Sequence, residues 1–445
     1  MRIAVVGGGL GGLTAARALV AAGHDARVLE AGPHAGGVLG TSRSSGFVRE
    51  HAASSFLGGP PRGGLALCNE LGVAVDKASP RAKRRWIYID GKLRALPSGP
   101  LALVRSDLLT WRGKLDLLRE PLRPPRGLVD ESMHAFAARR LGAEAARAIV
   151  APFVTGVFAA DAHDVSLEAG FPRLAALDAK GGLVRGMLSQ AVVGAIGRLR
   201  GNRRVTTARG MWAPRGGLGA LVTALAASLG DRLELGDPVE RIEPTAGGVV
   251  IDGERWDGAV LAIPAEEAVP LVETMPALAT RLAGFARSPV ALVYLGYSGD
   301  AVPAATAGFG FLVAQGEELR VLGVVFESVV WPDRAPTGQL LLRCIFGGGR
   351  DPEATELDDA ALIEQATRDV ARALATTGAP IHASVVRWPR GLAQYPVGHK
   401  ERVQAATVAA RGFRIALAGA DYRGPGVNDL CADAAAIVGE VSSWA

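Results

Sequence analysis

The sequence is poor in the features that mark disulfide-rich, metal-binding and membrane-spanning proteins. Its 445 residues include only three cysteines, Cys68, Cys344 and Cys431, which are far apart and form no CxxC or mixed Cys/His spacing. Neither a disulfide framework nor a structural zinc site is therefore expected, and no other metal site is predicted. We predict that the three cysteine side chains pack in the core.

Long apolar runs are also missing. The best candidate, residues 148–160, is shorter than the roughly eighteen apolar residues that a membrane span needs, and Pro152 and Gly156 interrupt it. The first strand follows Met1 without a charged leader or an apolar leader core, so we expect a cytoplasmic protein rather than a secreted one. The net charge of +5 comes with no recognised nucleic-acid module, and no nucleic-acid partner is expected.

Glycine, by contrast, is abundant, with 58 residues, and its placement near the N-terminus is informative. A glycine-rich turn from Gly7 to Gly12 follows a short apolar run and precedes a helical pattern and a second strand ending at Glu30. In such a βαβ unit Gly7 permits the tight turn, Gly9 lets the backbone approach a pyrophosphate, and Gly12 lets the helix pack on the strand. Glu30 is placed to bind ribose hydroxyls and would repel the 2′-phosphate of NADP. This end of the chain predicts a dinucleotide site.

The other end of the chain repeats the order of strand, glycine turn and helix. A buried strand is predicted at residues 414–418, followed by a glycine turn at 423–426 and a helix from about Val427. The N-terminus of a helix carries a partial positive charge, which suits a flavin ring that becomes anionic on accepting a hydride. We therefore expect both ends to build one nucleotide domain, and we favour FAD over NAD.

Two basic amphipathic segments lie within residues 107–204, where the periodicity is mostly helical. The first segment has apolar residues at helical spacing among arginines and lysines, namely Trp111, Leu115, Leu118 and Leu122. The second, residues 183–196, ends in a basic cluster of Arg198, Arg200, Arg203 and Arg204. Such helices lie in a lipid interface, or they pack on a core with their basic face in solvent. The pattern alone leaves both interpretations open.

Several motifs give the chain a family resemblance over nearly its whole length. The general flavin motifs are the first glycine turn, including Gly11, the Gly36-Gly37 doublet, Val239 in Asp237–Ile242, and Gly419 in Leu417–Gly419. More specific motifs are Asp130–Ser132 with Phe136 and Arg139-Arg140, Thr155–Ala159 before Asp161, Gly308–Val313, and Gln394–His399. Together they resemble the oxygen-dependent, FAD-containing protoporphyrinogen oxidases, within the wider group of monoamine oxidases and phytoene desaturases.

The resemblance implies an α/β fold of three parts. A discontinuous, Rossmann-like FAD-binding domain is expected at 1–59, 205–264 and 385–445. A mixed-sheet substrate-binding domain is expected at 60–88 and 265–384, and an inserted helical, membrane-associating domain at 89–204. The implied location is peripheral, on the cytoplasmic membrane, and a homodimer is left open.

The implied activity is a six-electron oxidation of protoporphyrinogen IX to protoporphyrin IX in haem biosynthesis. Three hydrides pass to FAD, and molecular oxygen reoxidises the flavin and releases hydrogen peroxide. Such chemistry needs a large apolar disc oriented against the flavin more than it needs a strong base. We therefore assign no residue as a catalytic acid or base.

The resemblance also implies roles for individual residues. Arg85 matches an arginine that holds a propionate of the tetrapyrrole, and Phe309 and Leu312 match apolar residues that clamp the macrocycle. Val239 is expected to pair its backbone with adenine. The positions matched to the flavin ring are Trp388, Gly426, Val427 and Asn428. His399 matches a family histidine without a clear chemical task, and a role in starting a helix is an equal alternative.

Some positions depart from the family pattern and leave the substrate open. His51-Ala52-Ala53 stands where relatives usually have Gly-Pro, Ala160 replaces a glycine beside the substrate, and Ala420-Asp421 replaces an Asn-Ala pair. A coproporphyrinogen III oxidase, a flavin amine oxidase or desaturase of specialised metabolism, and a flavin-bearing protein without activity remain alternatives. A coproporphyrinogen oxidase should need more basic groups than Arg85 alone.

Overall fold

Strands from distant parts of the chain build the sheets of this protein. The computed structural model describes residues 1–59, 61–124, 129–186, 208–303 and 308–444. In these ranges the strands are β1 (Arg2–Val6), β2 (Asp25–Glu30), β3 (Thr41–Ser44), β4 (Phe47–Glu50), β5 (Phe56–Leu57), β6 (Val75–Lys77), β7 (Arg85–Ile89), β8 (Lys92–Ala95), β9 (Met211–Pro214), β10 (Leu233–Leu235), β11 (Ile242–Thr245), β12 (Gly248–Ile251), β13 (Glu254–Trp256), β14 (Gly258–Leu261), β15 (Arg287–Ser298), β16 (Gly310–Val313), β17 (Gly323–Val325), β18 (Gln339–Gly347), β19 (His382–Ala393) and β20 (Ile415–Leu417).

The helices cover the sheets and fill the region between β8 and β9. They are α1 (Leu10–Ala21), α2 (Gly64–Glu70), α3 (Pro100–Arg105), α4 (Trp111–Leu118), α5 (Met133–Leu141), α6 (Ala143–Ala145), α7 (Ala151–Phe158), α8 (Leu167–Gly170), α9 (Pro172–Ala179), α10 (Leu218–Leu229), α11 (Ala265–Leu271), α12 (Pro276–Leu282), α13 (Glu327–Val330), α14 (Asp359–Leu374), α15 (His399–Arg411), α16 (Ala420–Arg423) and α17 (Val427–Ser442). A π-helical turn, Ala146–Val150, joins α6 to α7 in one continuous rod.

The two chain ends meet in a five-stranded parallel sheet of order β10-β2-β1-β14-β20. Alternate residues of β1 face opposite sides, so Ile3 and Val5 pack against α1, α10 and α17 while Ala4 and Val6 pack against α11, α12 and α15. Helices thus bury both faces, as parallel sheets require. Strands from the two chain ends thus lie in one sheet.

The second large sheet has seven strands in the order β19-β15-β18-β17-β16-β7-β8. Neighbouring strands are antiparallel except β16 and β7, which run parallel. One face packs against α14 through buried residues that include Phe311 and Cys344. Cys68 and Cys431 lie in the core on the α1 side of the parallel sheet, so all three cysteines are packing residues, as predicted.

The element boundaries differ in detail from the expected three-part division. Strands β8 and β19 extend the seven-stranded sheet past the divisions placed at residues 88 and 385. Helices α11 and α12 pack on the parallel sheet, although the division placed them with the substrate domain. We retain the three-part division as a proposal with these shifted edges.

Helices α3 to α9 form an insertion between β8 and β9. The first amphipathic segment is the helix α4, followed by a 3-10 turn at Glu120–Leu122. Its apolar side chains are exposed rather than packed, with Trp111 69% and Leu118 69% accessible. The second predicted segment, apart from residues 183–186, lies outside the described residues, as does its arginine cluster. Among the helices of the described ranges, none combines the length and apolar character needed to cross a bilayer.

Candidate active site

The turn between β1 and α1 leaves open space against a bare backbone. Gly7 has a φ of 106°, and a Cβ on Gly12 would lie 1.9 Å from the Gly7 carbonyl oxygen, so both positions require glycine. A Cβ on Gly9 would meet no atom within 4 Å. Gly9 is the residue before α1, and its surroundings are open where the helix presents its first N–H groups. This arrangement provides a cradle for an anionic group.

Glu30 ends β2 beside this cradle. Its carboxylate accepts hydrogen bonds from the backbone N–H of Gly8, at 2.5 Å, and of Gly32, at 2.8 Å. A carboxylate has lone pairs for about four hydrogen bonds, so capacity for hydroxyl donors remains. The N–H of Asp237 donates to the Glu30 carbonyl at 3.1 Å, which brings the segment containing Val239 to the same edge. Glu30 and Val239 are thus placed on one side of the cradle.

The Gly36-Gly37 doublet packs against the turn that contains Gly8 and Gly9. Gly36 forms a bridge with Gly9 and donates its N–H to the Gly8 carbonyl at 2.8 Å. Both glycines have positive φ, 115° and 58°, and a Cβ on Gly37 would lie 3.2 Å from the Gly9 Cα. A side chain at Gly37 would therefore crowd the turn before α1, and a Cβ on Gly36 would collide with the Leu39 carbonyl oxygen at 2.5 Å and the Val222 side chain at 2.8 Å.

The C-terminal turn lies against the same cradle. A Cβ on Gly11 would be 3.4 Å from the Cα of Gly419, the residue that precedes α16. Gly426 immediately precedes α17, whose first residue, Val427, is buried. The Asp429 carboxylate accepts a hydrogen bond from the Gly426 N–H at 3.3 Å, and burial raises the pKa of Asp429. The starts of α1 and α17 therefore share one region.

Asn428 and Trp388 connect this region to other parts of the chain. The Asn428 side chain donates to the Leu57 carbonyl at 2.7 Å and accepts from the Gly64 N–H at 2.8 Å. The Trp388 indole, on β19, donates to the His51 carbonyl at 2.7 Å. Both matched flavin positions therefore contact the segment 51–64 that follows β4.

A second cluster forms where β7 and β16 run side by side. The exposed guanidinium of Arg85 lies 5.0 Å from the centre of the Phe309 ring, in cation–π geometry, and 3.8 Å from the Met211 sulfur. No carboxylate among the described residues forms an ion pair with Arg85. A free cation beside an aromatic ring can receive a ligand that carries a carboxylate on an apolar body.

The Leu312 side chain extends this cluster toward α7. A Cβ on Gly156 would lie 2.6 Å from a Leu312 methyl group, so the glycine admits the leucine against the helix. Ala160 is buried just beyond α7, and its carbonyl accepts from the Thr155 hydroxyl at 3.1 Å. The structure thus places Arg85, Phe309 and Leu312 along one strand pair, with Ala160 at the far end of the helix that Leu312 touches.

The family comparison matches almost the whole chain. The model for flavin-containing amine oxidoreductases matches residues 10–429. The chain belongs to the flavin-containing amine oxidoreductase family. The cofactor of this flavin-containing oxidoreductase is FAD.

Individual members of this family cover the chain from end to end. Protoporphyrinogen oxidase of Macaca fascicularis is 32% identical, over 96% of this chain and 95% of that protein. Coproporphyrinogen III oxidase of Bacillus subtilis is 23% identical, over 99% of this chain and 98% of that protein. A crystal structure of an Exiguobacterium protein superposes with a TM-score of 0.82 at 23% identity, covering 99% and 98% of the two chains. The structural likeness shows that the fold is that of the flavin amine oxidoreductases.

The cradle fits the FAD of this family. Gly9 leaves room for a pyrophosphate before α1, Glu30 offers a carboxylate to ribose hydroxyls, and α17 directs its first N–H groups into the same region. The helix N–H groups are donors for the two phosphates of a dinucleotide, and the Glu30 carboxylate is an acceptor for its ribose hydroxyls. The acid at residue 30 disfavours an additional 2′-phosphate.

His399 and Asp421 are two buried residues near the C-terminal turn at 423–426. His399 begins α15, is 3% exposed and stacks on Tyr395 at 4.2 Å between ring centres, and burial lowers its pKa. Asp421 forms a buried ion pair with Arg287 at 3.0 Å and accepts from the Ala265 N–H. The departure at Ala420-Asp421 thus builds a link between the parallel sheet and β15.

Sequence reasoning missed Leu57 and Met211, which join the two clusters. Met211 contacts Arg85 and pairs with Leu57 across β9 and β5, and the Leu57 carbonyl is held by Asn428. Neither residue belongs to a recognisable motif. The exposure of Leu57, 61%, is a property of the folded chain and gives no sequence signal.

Proposed function

We propose that this flavin oxidoreductase oxidises protoporphyrinogen IX to protoporphyrin IX, with molecular oxygen as the acceptor and hydrogen peroxide as the second product. The observation that carries the proposal is the exposed Arg85 guanidinium beside Phe309, which forms no ion pair with any described residue. Met211 and Leu57 connect it to the start of α17. The near-complete match to a relative named for this activity supports it.

The residues of the second cluster suit an amphipathic disc with acidic arms. Arg85 would bind a propionate through a bidentate fork, while Phe309 and Leu312 would contact the apolar face of the macrocycle. At Ala160 the family resemblance implies a glycine, so the methyl group of the buried alanine would crowd a substrate near the end of α7. These groups orient the substrate and exclude water from it.

The cofactor region supplies the electron acceptor. The cradle formed by Gly9, Glu30 and the start of α17 would hold FAD, which would supply hydride-accepting chemistry for the three two-electron oxidations of the substrate. The N-terminus of α17 would stabilise negative charge that develops at the ring edge. The chain's role in this reaction is orientation and electrostatics, and we assign no general acid or base.

A coproporphyrinogen III oxidase is the second candidate, and one observation favours it. Four cations, Arg81, Lys83, Arg84 and Arg85, are exposed around β7, and in the described part of the chain none of them has an ion-pair partner. Coproporphyrinogen carries four carboxylates and would use more of these charges than protoporphyrinogen. The Bacillus relative named for that activity covers the chain equally well.

A direct comparison of the two substrates tests the proposal. Purified flavoprotein is incubated aerobically with protoporphyrinogen IX or coproporphyrinogen III, and porphyrin fluorescence, oxygen uptake and peroxide are followed. We expect a higher kcat/KM for protoporphyrinogen, with three oxygen molecules consumed per porphyrin. A preference for coproporphyrinogen would support the second candidate, and no fluorescence gain with either substrate would overturn both.

We further propose that the helical insertion docks on the surface of the cytoplasmic membrane. Apolar side chains on α3, α4 and the following turn are exposed together, namely Leu101, Val104, Trp111, Leu115, Leu118 and Leu122. Arg112, Lys114 and Arg119 lie among them. Exposed leucines and a tryptophan beside cations suit the boundary between anionic headgroups and acyl chains. A membrane-docked protein would take up its poorly soluble substrate from the lipid.

A further inference from the structure

Three consecutive carbonyl groups, beginning with the last residue of β4, accept hydrogen bonds from side chains of three adjacent strands. The bonds are Tyr294 Oη to Glu50 O at 2.6 Å, Trp388 Nε1 to His51 O at 2.7 Å, and Arg343 Nη1 to Ala52 O at 2.9 Å. The donors stand on β15, β19 and β18, which are neighbours in the seven-stranded sheet. We call residues 50–52 the held segment.

Other contacts of the held segment involve Gly40, just before β3, and the core of the parallel sheet. The His51 N–H donates to the Gly40 carbonyl at 2.8 Å, and a Cβ on Gly40 would lie 2.6 Å from the His51 ring. Ala52 packs against the core beneath α1. The held segment therefore fills the junction between the two large sheets, and its position depends on both.

Two buried ion pairs surround Arg343 and Glu50. Glu327, fully buried, lies 3.5 Å from the Arg343 guanidinium, and Glu50, also fully buried, lies 3.0 Å from Arg334. The two pairs balance in charge, as a buried cluster requires. Because Arg343 faces Glu327 and also donates to Ala52, its guanidinium ties the held segment to this cluster.

We propose that Tyr294 and Arg343 are positioning residues for the flavin site. They fix the held segment, and the His51 carbonyl of that segment in turn fixes the Trp388 indole. A shift of the segment would rotate the indole, which is matched to the flavin ring. The inference rests on the proposed placement of the flavin beside Trp388, and it concerns the stretch His51-Ala52 where this chain departs from its relatives.

A matched pair of tyrosine variants tests the proposal. Tyr294→Phe removes the hydroxyl that donates to Glu50 and keeps the ring. Tyr297→Phe is the control, because Tyr297 lies on the same strand and is equally buried, but its side chain packs in the core on the opposite face. Both variants lose one buried hydroxyl and keep the aromatic ring, but of the two hydroxyls it is that of Tyr294 that donates to the held segment.

The readouts follow the bound flavin itself. We expect Tyr294→Phe to change the visible circular dichroism and the reduction potential of the bound FAD, and to lower kcat about fivefold with little change in KM, as loss of one hydrogen bond implies. Tyr297→Phe should retain the wild-type spectrum. A Tyr294→Phe holoprotein with wild-type dichroism, potential and kcat would overturn the proposal.

Arginine variants provide an independent measurement. Arg343→Met should change the flavin dichroism more than Tyr294→Phe does, and Arg343→Lys, which keeps a charge and a donor, should restore part of the change. If Arg343→Met does not fold, the comparison of Tyr294→Phe with Tyr297→Phe still tests the proposal. Dichroism and potential require no porphyrinogen, so failure of the proposed substrate would leave this test intact.

Discussion

The Asn428 side chain donates a hydrogen bond to the carbonyl of Leu57 at 2.7 Å and thereby joins the start of α17 to the strand that pairs with Met211. Met211 in turn contacts Arg85. The residues matched to the cofactor and to the substrate are thus connected by a short chain of contacts. The relative position of the two clusters depends on this connection.

Removal of the Asn428 amide should weaken that connection. Asn428→Ala leaves the Gly64 N–H without its acceptor and the Leu57 carbonyl without its donor, which costs about 1–3 kcal/mol. We expect FAD to be released at a lower temperature than in the wild type. Flavin fluorescence during heating measures this release. Asn69→Ala, at an exposed position of α2, is the control and should release FAD at the wild-type temperature. Equal release temperatures for all three proteins would contradict this prediction.

Substitutions at two glycines of the first turn should have different effects, one on folding and the other on cofactor binding. A Cβ on Gly12 overlaps the Gly7 carbonyl, so Gly12→Ala should destabilise the protein itself by about 2 kcal/mol or more. A Cβ on Gly9 meets no protein atom, so Gly9→Ala should fold but bind FAD weakly. Thermal unfolding and FAD content measure the two effects. Gly439→Ala, with open space around it, is the control.

Arg85 should affect substrate binding more than turnover. If it holds a carboxylate in both the ground state and the transition state, Arg85→Ala should raise KM by about tenfold or more and leave kcat nearly unchanged. Arg84→Ala, one residue away, removes an equal charge and serves as the control in the measurements with protoporphyrinogen. Steady-state kinetics with both porphyrinogens provide the measurement. An unchanged KM in Arg85→Ala would remove this residue from the binding site.

The exposed leucines near α4 should determine membrane binding. Leu118 is 69% and Leu122 78% exposed. Replacing both with glutamate should lower the affinity for phosphatidylglycerol vesicles about tenfold, as measured by co-sedimentation. Val408→Glu alters a valine of similar exposure, 65%, on α15 and should bind as the wild type does. If wild type and double variant sediment alike, α4 is not the docking surface.

Asp433 should make stability depend on pH. Burial raises the pKa of Asp433 from 3.8 to about 6, because desolvation outweighs the attraction of Arg423. The folded state therefore favours the protonated acid, and this contribution to the free energy of unfolding is complete below pH 4 and is lost as the pH rises through 6. A pKa difference of this size between the folded and unfolded states corresponds to about 3 kcal/mol.

The variant Asp433→Asn mimics the protonated acid. Its stability relative to the wild type should rise between pH 4 and pH 8, as measured by chemical unfolding at each pH. A difference that stays constant over this range would show that Asp433 has its ordinary pKa in the folded protein.

The local parts of the fold were predictable, and most of the long-range contacts were not. The turn from Gly7 to Gly12, the end of β2 at Glu30 and the start of α17 at Val427 depend on neighbouring residues, so the sequence indicates them directly. The helix α4 was also predicted, but its spacing does not tell whether the apolar side is covered. Its exposure depends on what the rest of the insertion leaves open.

The held segment shows why other parts of the site escaped prediction. Its donors, Tyr294, Arg343 and Trp388, lie more than 240 residues away along the chain. A tyrosine or an arginine within an apolar strand gives no local sign of its partner. Only the pairing of β15, β18 and β19 brings the three side chains to one place.

The position of β20 at the edge of the parallel sheet sets the order of assembly during synthesis. Strand β20 pairs with β14, and α17 packs beside α1, so the final thirty or so residues complete a layer begun by the first thirty. A ribosome-bound chain therefore has no finished pocket for its prosthetic group. Loading with flavin has to wait until the last helix has emerged.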